Sequence, residues 1–542
     1  MKKKLFFLSL IAGLALGMFA LSSCGDDDEV VPTPQKKETP EEKKDEKKED
    51  EKEEPAFDPV NTPLTLEAVE DGSIRFSNRA AGDVYYSVDG GAAQTIAANS
   101  SKTIEVKAGE KVAFCGDNAA YYTSAGSSEI FCSADAYAYG NIMSLVSSTD
   151  YANATTLTEK RAFAYLFRNN RHLKNNPSKL LLLPATTLTD YCYTEMFYQC
   201  EGLTLAPALP ATTLAYSCYD SMFAGCTALT QAPALPATTL ASACYMNMFT
   251  GCTALTKAPE LLATTMKSSC YSGMFRNCTA LTQAPALPAR NLDEQCYENM
   301  FQGCTKLLRA PALSALTLAD DCYFGMFQDC TSLTQPPSLP ATTLANSCYM
   351  WMFRGCSSLS YAPTLPATRL AKSCYNSMFR DCTKMTIAPA LHGETMEESC
   401  YSGMFYGCTR LTAPPALPAT TLARNCYSGM FQGCTSMVST PALPATTLEQ
   451  ACYQSMFAGC TSVIHAPELK APALVENCYL HMFEGCFRLS NVKCLATSKS
   501  GSYCTFEWLK GVSASGSFTK AAGFVWPRSE SGIPEGWTVA EQ

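Results

Sequence analysis

The sequence predicts an α/β repeat solenoid built from 26-residue units, each an extended strand plus a short helix, with a small all-β sandwich ahead of it. Three observations carry that prediction. A Cys-Tyr pair recurs every 26 residues, twelve times, from Cys192 to Cys478. A second cysteine follows each pair's cysteine by eight residues, from Cys200 to Cys486. Ahead of the array lie short β-rich runs punctuated by Gly-containing turns. A fixed period over more than half of a 542-residue chain means one supersecondary unit stacked many times. Such solenoids present surfaces to ligands and seldom build one deep catalytic cleft. Net charge is −9, with no basic stripe of the kind nucleic acid requires.

Residues 1–23 are expected to be a signal peptide. Lys2, Lys3 and Lys4 form a basic start, and an apolar run from Leu5 to Leu21 follows. The run closes Leu21-Ser22-Ser23-Cys24, which resembles a bacterial lipobox. That resemblance implies cleavage before Cys24, lipid on its thiol and amine, and a membrane partner through the acyl chains. Gly25-Asp26-Asp27-Asp28-Glu29 resembles the export signal of Bacteroides-type lipoproteins, which implies an outer-membrane lipoprotein exposed at the cell surface. A plain charged spacer is the alternative. Residues 24–60 read as a tether. Between Lys36 and Glu54 seven lysines alternate with ten acidic residues, a composition that cannot form a core.

Residues 61–140 read as an immunoglobulin-like sandwich. Leu64–Val69, Ser73–Phe76, Val84–Val88 and Thr103–Val106 are strand-like, with Asp89-Gly90-Gly91 and Ala108-Gly109-Glu110 as turns. Cys115 and Cys132 are placed on different strands, as a disulfide or as two buried thiols. Residues 141–191 are the connection and an N-terminal cap repeat, in which Ala162–Phe167 is a first, degenerate unit.

Residues 192–486 are the twelve-repeat array. In each unit Cys, Tyr, Met and Phe at relative positions 0, 1, 4 and 5 fall within about 140° at roughly 100° per residue, one apolar stripe of a short helix. Position 7 is Gly, Asn or Asp except at Gln199, residue types that accept the left-handed conformation closing a helix. Ser, Asp or Asn precedes the first cysteine in eight of twelve repeats, an N-cap signal. The other half, such as Leu229 to Pro236, carries two prolines that exclude helix. Stacking these units gives a right-handed, curved solenoid with its strands on one face. Residues 487–542 complete it with a degenerate unit at Cys504 and a cap holding Trp508, Trp526 and Trp537.

Met-Phe-x-Gly-Cys-Thr-x-Leu, at Met222–Leu229 and in variant form at Met430–Met437, resembles the BspA-like leucine-rich repeats of bacterial surface proteins. The resemblance covers about residues 160 to 511, although that family usually has a shorter repeat and Ala-Phe in place of Met-Phe. It implies a leucine-rich-repeat-like fold and a part in adhesion or host binding; it names no ligand.

Three readings of the repeat cysteines compete. Across a helix or between packed helices the spacing disfavours disulfides. Seven intervening residues disfavour zinc. Buried thiols acting as small hydrophobes remain, against which stands the oxidising address outside the cell. Four scattered histidines and no H-E-x-x-H, G-x-S-x-G or P-loop point away from an enzyme, and neither cofactor nor metal is expected.

Ligand recognition belongs to the variable columns. One runs Leu205, Gln231, Lys257, Gln283, Arg309, Gln335, Tyr361 and onward to Asn491. On the outer helix face Phe324, Met350 and Trp351 interrupt small polar residues, with Arg354, Lys372 and Arg380 in the same or the next repeat. Aromatic and cationic groups together suit a protein or glycan partner. The expected function is a surface-anchored adhesin for a host protein, matrix or cell-surface ligand. A glycan-capture lipoprotein for nutrient uptake is the alternative.

Overall fold

The computed structural model describes residues 57–542. The expected signal peptide, the lipidation site Cys24 and nearly all of the tether lie outside them. Among the described residues no helix is long and apolar enough to cross a membrane.

The N-terminal region folds because its strands alternate buried and exposed residues. Its strands are β1 (Leu64–Ala68), β2 (Gly72–Ser77), β3 (Val84–Val88), β4 (Gln94–Ile96), β5 (Ser101–Val106) and β6 (Lys111–Gly116). The short pair β7 (Tyr122–Thr123) and β8 (Gly126–Ser127) precedes β9 (Glu129–Cys132) and β10 (Ala136–Asn141). One antiparallel sheet runs β10-β1-β6-β3-β4 and the other β5-β2-β9. Phe76 of β2 and Phe114 of β6, both fully buried, meet between the sheets with ring centroids 5.3 Å apart. Cys115 and Cys132 are free thiols.

This sheet does not stop at residue 140. β10 pairs in parallel with β11 (Leu173–Asn175) and β12 (Leu181–Leu182), both inside the first turns of the solenoid. The Tyr121 N–H donates to the Ala162 carbonyl at 2.8 Å and the Ile130 N–H to that of Leu166 at 2.7 Å. The sandwich therefore caps the array, and one continuous core runs through both.

The short helix expected in each repeat is absent. Among the described residues there is no α-helix, and one 3-10 turn at Ile142–Leu145. The stretch from Ala215 to Cys226 shows what replaces it. The N–H groups of Cys218, Asp220, Met222, Ala224 and Cys226 each donate to the carbonyl three residues back. The alternate N–H groups, of Ser217, Tyr219, Ser221, Phe223 and Gly225, donate instead to Ser242, Cys244, Met246, Met248 and Thr250 of the next repeat, at 2.7–3.1 Å. An α-helix keeps its bonds within itself; this ribbon of overlapping turns sends half of them to its neighbour.

Positive φ at Ser217 (48°), Ser221 (54°) and Gly225 (76°) falls on the third residue of alternate turns, as a type II turn requires. The buried residues Cys218, Tyr219, Met222, Phe223 and Cys226 thus repeat with a period of four. Over nine residues an apolar stripe of period 3.6 and one of period four are indistinguishable, which is why the sequence read as a helix. The left-handed residues at position 7 are where the sequence placed them, but they make turns rather than end helices.

The extended half is also thinner than expected. Neighbouring repeats meet there through single-residue parallel bridges, such as Leu205 to Gln231 and Thr213 to Thr239. Prolines such as Pro233 and Pro236 have no N–H to widen them into strands. Leu229, Leu235, Ala237 and Leu240 still point inward and are buried.

Stacked rings fill the core. Phe167 to Phe483 form one column with centroids 5.5–5.8 Å apart. A second column starts at Tyr121 in the sandwich, passes through Phe163 and the tyrosines Tyr193 to Tyr479, and ends on Trp508 and Trp526. The C-terminal end is closed by a parallel sheet of Asn491–Cys494, Gly516–Lys520 and Trp537–Glu541. There Trp508 Nε1 donates to Gly532 O and Trp537 Nε1 to Ser513 O, each at 2.8 Å.

Candidate binding face

The inward residues of the turn ribbon repeat, so its outward positions are the ones free to vary. These are the second, third and sixth residues after the first cysteine of each repeat. Phe324 and Met350 occupy the second position of adjacent repeats, Trp351 the third, Arg354 and Arg380 the sixth. The Phe324 and Trp351 rings lie 5.0 Å apart, tilted by 49°. The Arg354 guanidinium sits over the Trp351 ring at 5.1 Å. Arg380 lies over the Tyr406 ring at 4.1 Å and 3.4 Å from Asp381. All five of these ring and guanidinium residues are half-buried.

Trp351 is conformationally costly. Its φ is 59°, in the left-handed region where the corresponding residues are mostly Gly, Ser or Asn. A residue of that bulk pays roughly 1–2 kcal/mol for the conformation. Nothing in the packing of the array calls for it there, since the other repeats stack without it. The left-handed turn belongs to the scaffold at every repeat, so what the array does not need is the tryptophan itself, an aromatic anchor on the outer face. Beside the patch, burial and then the charge of Asp321 raise the Glu298 carboxyl above its ordinary range, and burial and then Asp320 do the same for Asp321.

The structure brings together Phe324, Met350, Trp351, Arg354 and Arg380 and separates the other three candidates from them. Lys372, exposed, pairs with Glu398 at 3.0 Å. Arg309 and Tyr361 belong to the bridged column of the extended half, where they contact Gln335 and Ile387. That column is exposed throughout except at Asn491, which is half-buried. It borders open grooves lined by the proline segments. One of them, about 730 Å³, runs along Thr230–Pro236 and Thr256–Glu260.

Two features escaped the sequence reading. Tyr406 completes the patch at a sixth position that stands out only when repeats are aligned column by column. At the sandwich junction Arg161 lies between the rings of Tyr122 (4.8 Å) and Tyr191 (5.0 Å), and Arg168 between Tyr165 (5.4 Å) and Tyr198 (5.3 Å). These cation–π sandwiches tie the cap to the first repeats. No spacing rule reveals them, because Tyr122 and Arg161 meet only in space.

Stacked turns, a closed core and a variable outer face define a repeat solenoid scaffold. The chain matches the family of BspA type leucine rich repeat regions, in six copies over residues 190–334 and 398–513. No curated protein and no solved structure gives a match.

Proposed function

We propose that this chain is a binding protein displayed at the bacterial surface, held by lipid on Cys24, which recognises a host protein, matrix or cell-surface ligand through the outward face of its turn ribbon. The observation that carries the reading is Trp351, left-handed at φ 59° and packed between Phe324 and Arg354. Tyr and Trp beside Arg are the side chains that concentrate binding energy at interfaces. The likeness to BspA type repeats supports adhesion, and the four-residue signature Leu21–Cys24 supports the anchor. Capture of a nutrient glycan is the second reading, favoured by the polar residues that continue the patch along the sixth position.

The test is an array of host proteins and glycans probed with the full-length protein and with its Trp351→Ala and Phe324→Ala variants. Saturable binding that falls at least about tenfold in either variant is expected, the loss of one anchor residue of more than about 1.4 kcal/mol. Binding that both variants retain would remove the face from consideration.

A further inference from the structure

The sixth position of five successive repeats carries Gln302, Gln328, Arg354, Arg380 and Tyr406, every one half-buried. Their backbones are locked in register. Gly303 N–H donates to Gln328 O, Asp329 to Arg354, Gly355 to Arg380 and Asp381 to Tyr406, at 2.7–2.8 Å. The phenylalanines just before them stack at 5.7, 5.7, 5.6 and 5.8 Å. Backbones hydrogen-bonded in this way lie about 4.8 Å apart, so one amide, guanidinium or phenol recurs at roughly that step along the solenoid axis.

The spacing selects a ligand. An extended peptide turns same-side groups outward every ~6.6 Å and would slip out of register by about 7 Å over the row. A linear chain of pyranose sugars advances one unit in close to the observed step. Amides and guanidiniums bind hydroxyls, and Trp351 and Phe324 at the edge of the row offer ring faces to a sugar ring. Charge narrows the class further. Arg354 has no acidic partner among the described residues, and Arg380 shares its charge only with Asp381 at 3.4 Å. Lys372, off the row, is paired with Glu398, and Asp329 accepts from Gln328 Nε2 at 3.1 Å. Two guanidiniums in adjacent repeats repel each other until an anion bridges them, and guanidinium donors fit carboxylates in two-point contact.

We infer that this row binds a linear acidic oligosaccharide, one sugar per repeat, with a uronic carboxylate across Arg354 and Arg380. The inference rests on the binding face proposed above and names its ligand class.

Tryptophan fluorescence tests it, because Trp508, Trp526 and Trp537 are buried in the cap and Trp351 alone lies on the face. The full-length protein is titrated with uronic-acid oligosaccharides of increasing length and with a neutral oligosaccharide of matched length. One acidic series alternates uronic acid with amino sugar, as in animal matrix; the other is a uronic homopolymer, as in plant walls. Saturable quenching by either series identifies the source. The affinity should rise with length to at least five units, and Arg354→Gln and Arg380→Gln should each weaken acidic but not neutral binding by about tenfold, the scale of one charge-assisted hydrogen bond. Equal binding of the neutral chain overturns the acidic class. Failure of every oligosaccharide, with Trp351-dependent binding of a protein ligand, overturns the inference and leaves the face standing. No Trp351-dependent binding of any kind removes both. Unchanged thermal unfolding of the variants ensures that loss of binding is not loss of fold.

Discussion

The thiol of Cys304 donates to the carbonyl of Phe275 in the preceding repeat at 3.1 Å, and the same bond recurs at every second cysteine from Cys200 to Cys486. That carbonyl already accepts the Cys278 N–H, so the thiol occupies its second lone pair. Burial pushes the Cys304, Cys226 and Cys192 thiols up to about 12, which keeps them protonated and able to donate. The thiolate is the reactive form, so at pH 8 these groups are inert. In the native protein a thiol reagent at pH 8 should therefore reach at most Cys115, the one half-exposed thiol among the 28 cysteines described, and all 28 should react after unfolding without reductant. A low yield after unfolding would reveal disulfides. That the cysteines face inward was legible in their periodicity. Their acceptor was not, because it lies 29 residues away in the chain. Trp351 is a similar case: its singularity was visible in the sequence, its left-handed backbone was not.

At the scale of the element, the turn ribbon is held by residues that tolerate positive φ at three positions per repeat. Gly303 and Gly429 separate two costs. Both are left-handed, at 72° and 60°. A Cβ on Gly303 would stand 2.2 Å from Asn277 Oδ1 of the preceding repeat, whereas on Gly429 the nearest atom is Gln432 Oε1 at 3.4 Å. Gly429→Ala should cost about 1 kcal/mol, from the conformation alone. Gly303→Ala should cost about 1 kcal/mol more, since the Asn277 side chain must leave its place. Urea unfolding at matched m-values measures the difference, and far-UV circular dichroism of the parent should lack the double minimum of an α-helix. The extended half was legible through its prolines. The helix was misread because its residue choices, Gly, Asn, Asp and Ser at fixed offsets, also serve consecutive turns, and only the bonds between repeats distinguish the two.

At the scale of the molecule, both ends of the array are closed by different chemistry: a sandwich that shares strand β10 with the first turns, and a tryptophan-rich parallel sheet at the other end. The interior between them is repetitive, so a unit should be removable. Deleting Cys270–Gln295 joins Ser269 to Cys296 in the same phase of the repeat and should leave the Tm within about 5 °C of the parent, because nearest-neighbour contacts are remade. Deleting residues 516–542 exposes Trp508 and Phe518's place in the core, and should give an aggregating chain. Thermal melts of the two deletions check both outcomes. The caps were partly legible, in Ala162–Phe167 and in the clustered tryptophans. The sharing of one sheet between sandwich and solenoid was not, since β10 and β11 are separated by more than 30 residues of sequence.

Half of the ribbon's amide bonds point along the solenoid axis, from each repeat to the next. A load applied between the two ends would fall on these bonds in series, and the weakest interface would part first while the others held. Each repeat that peeled away would lengthen the tether by about 90 Å, the contour of 26 extended residues, so the chain would lengthen in steps under tension and absorb a pull that would break a stiffer link at once.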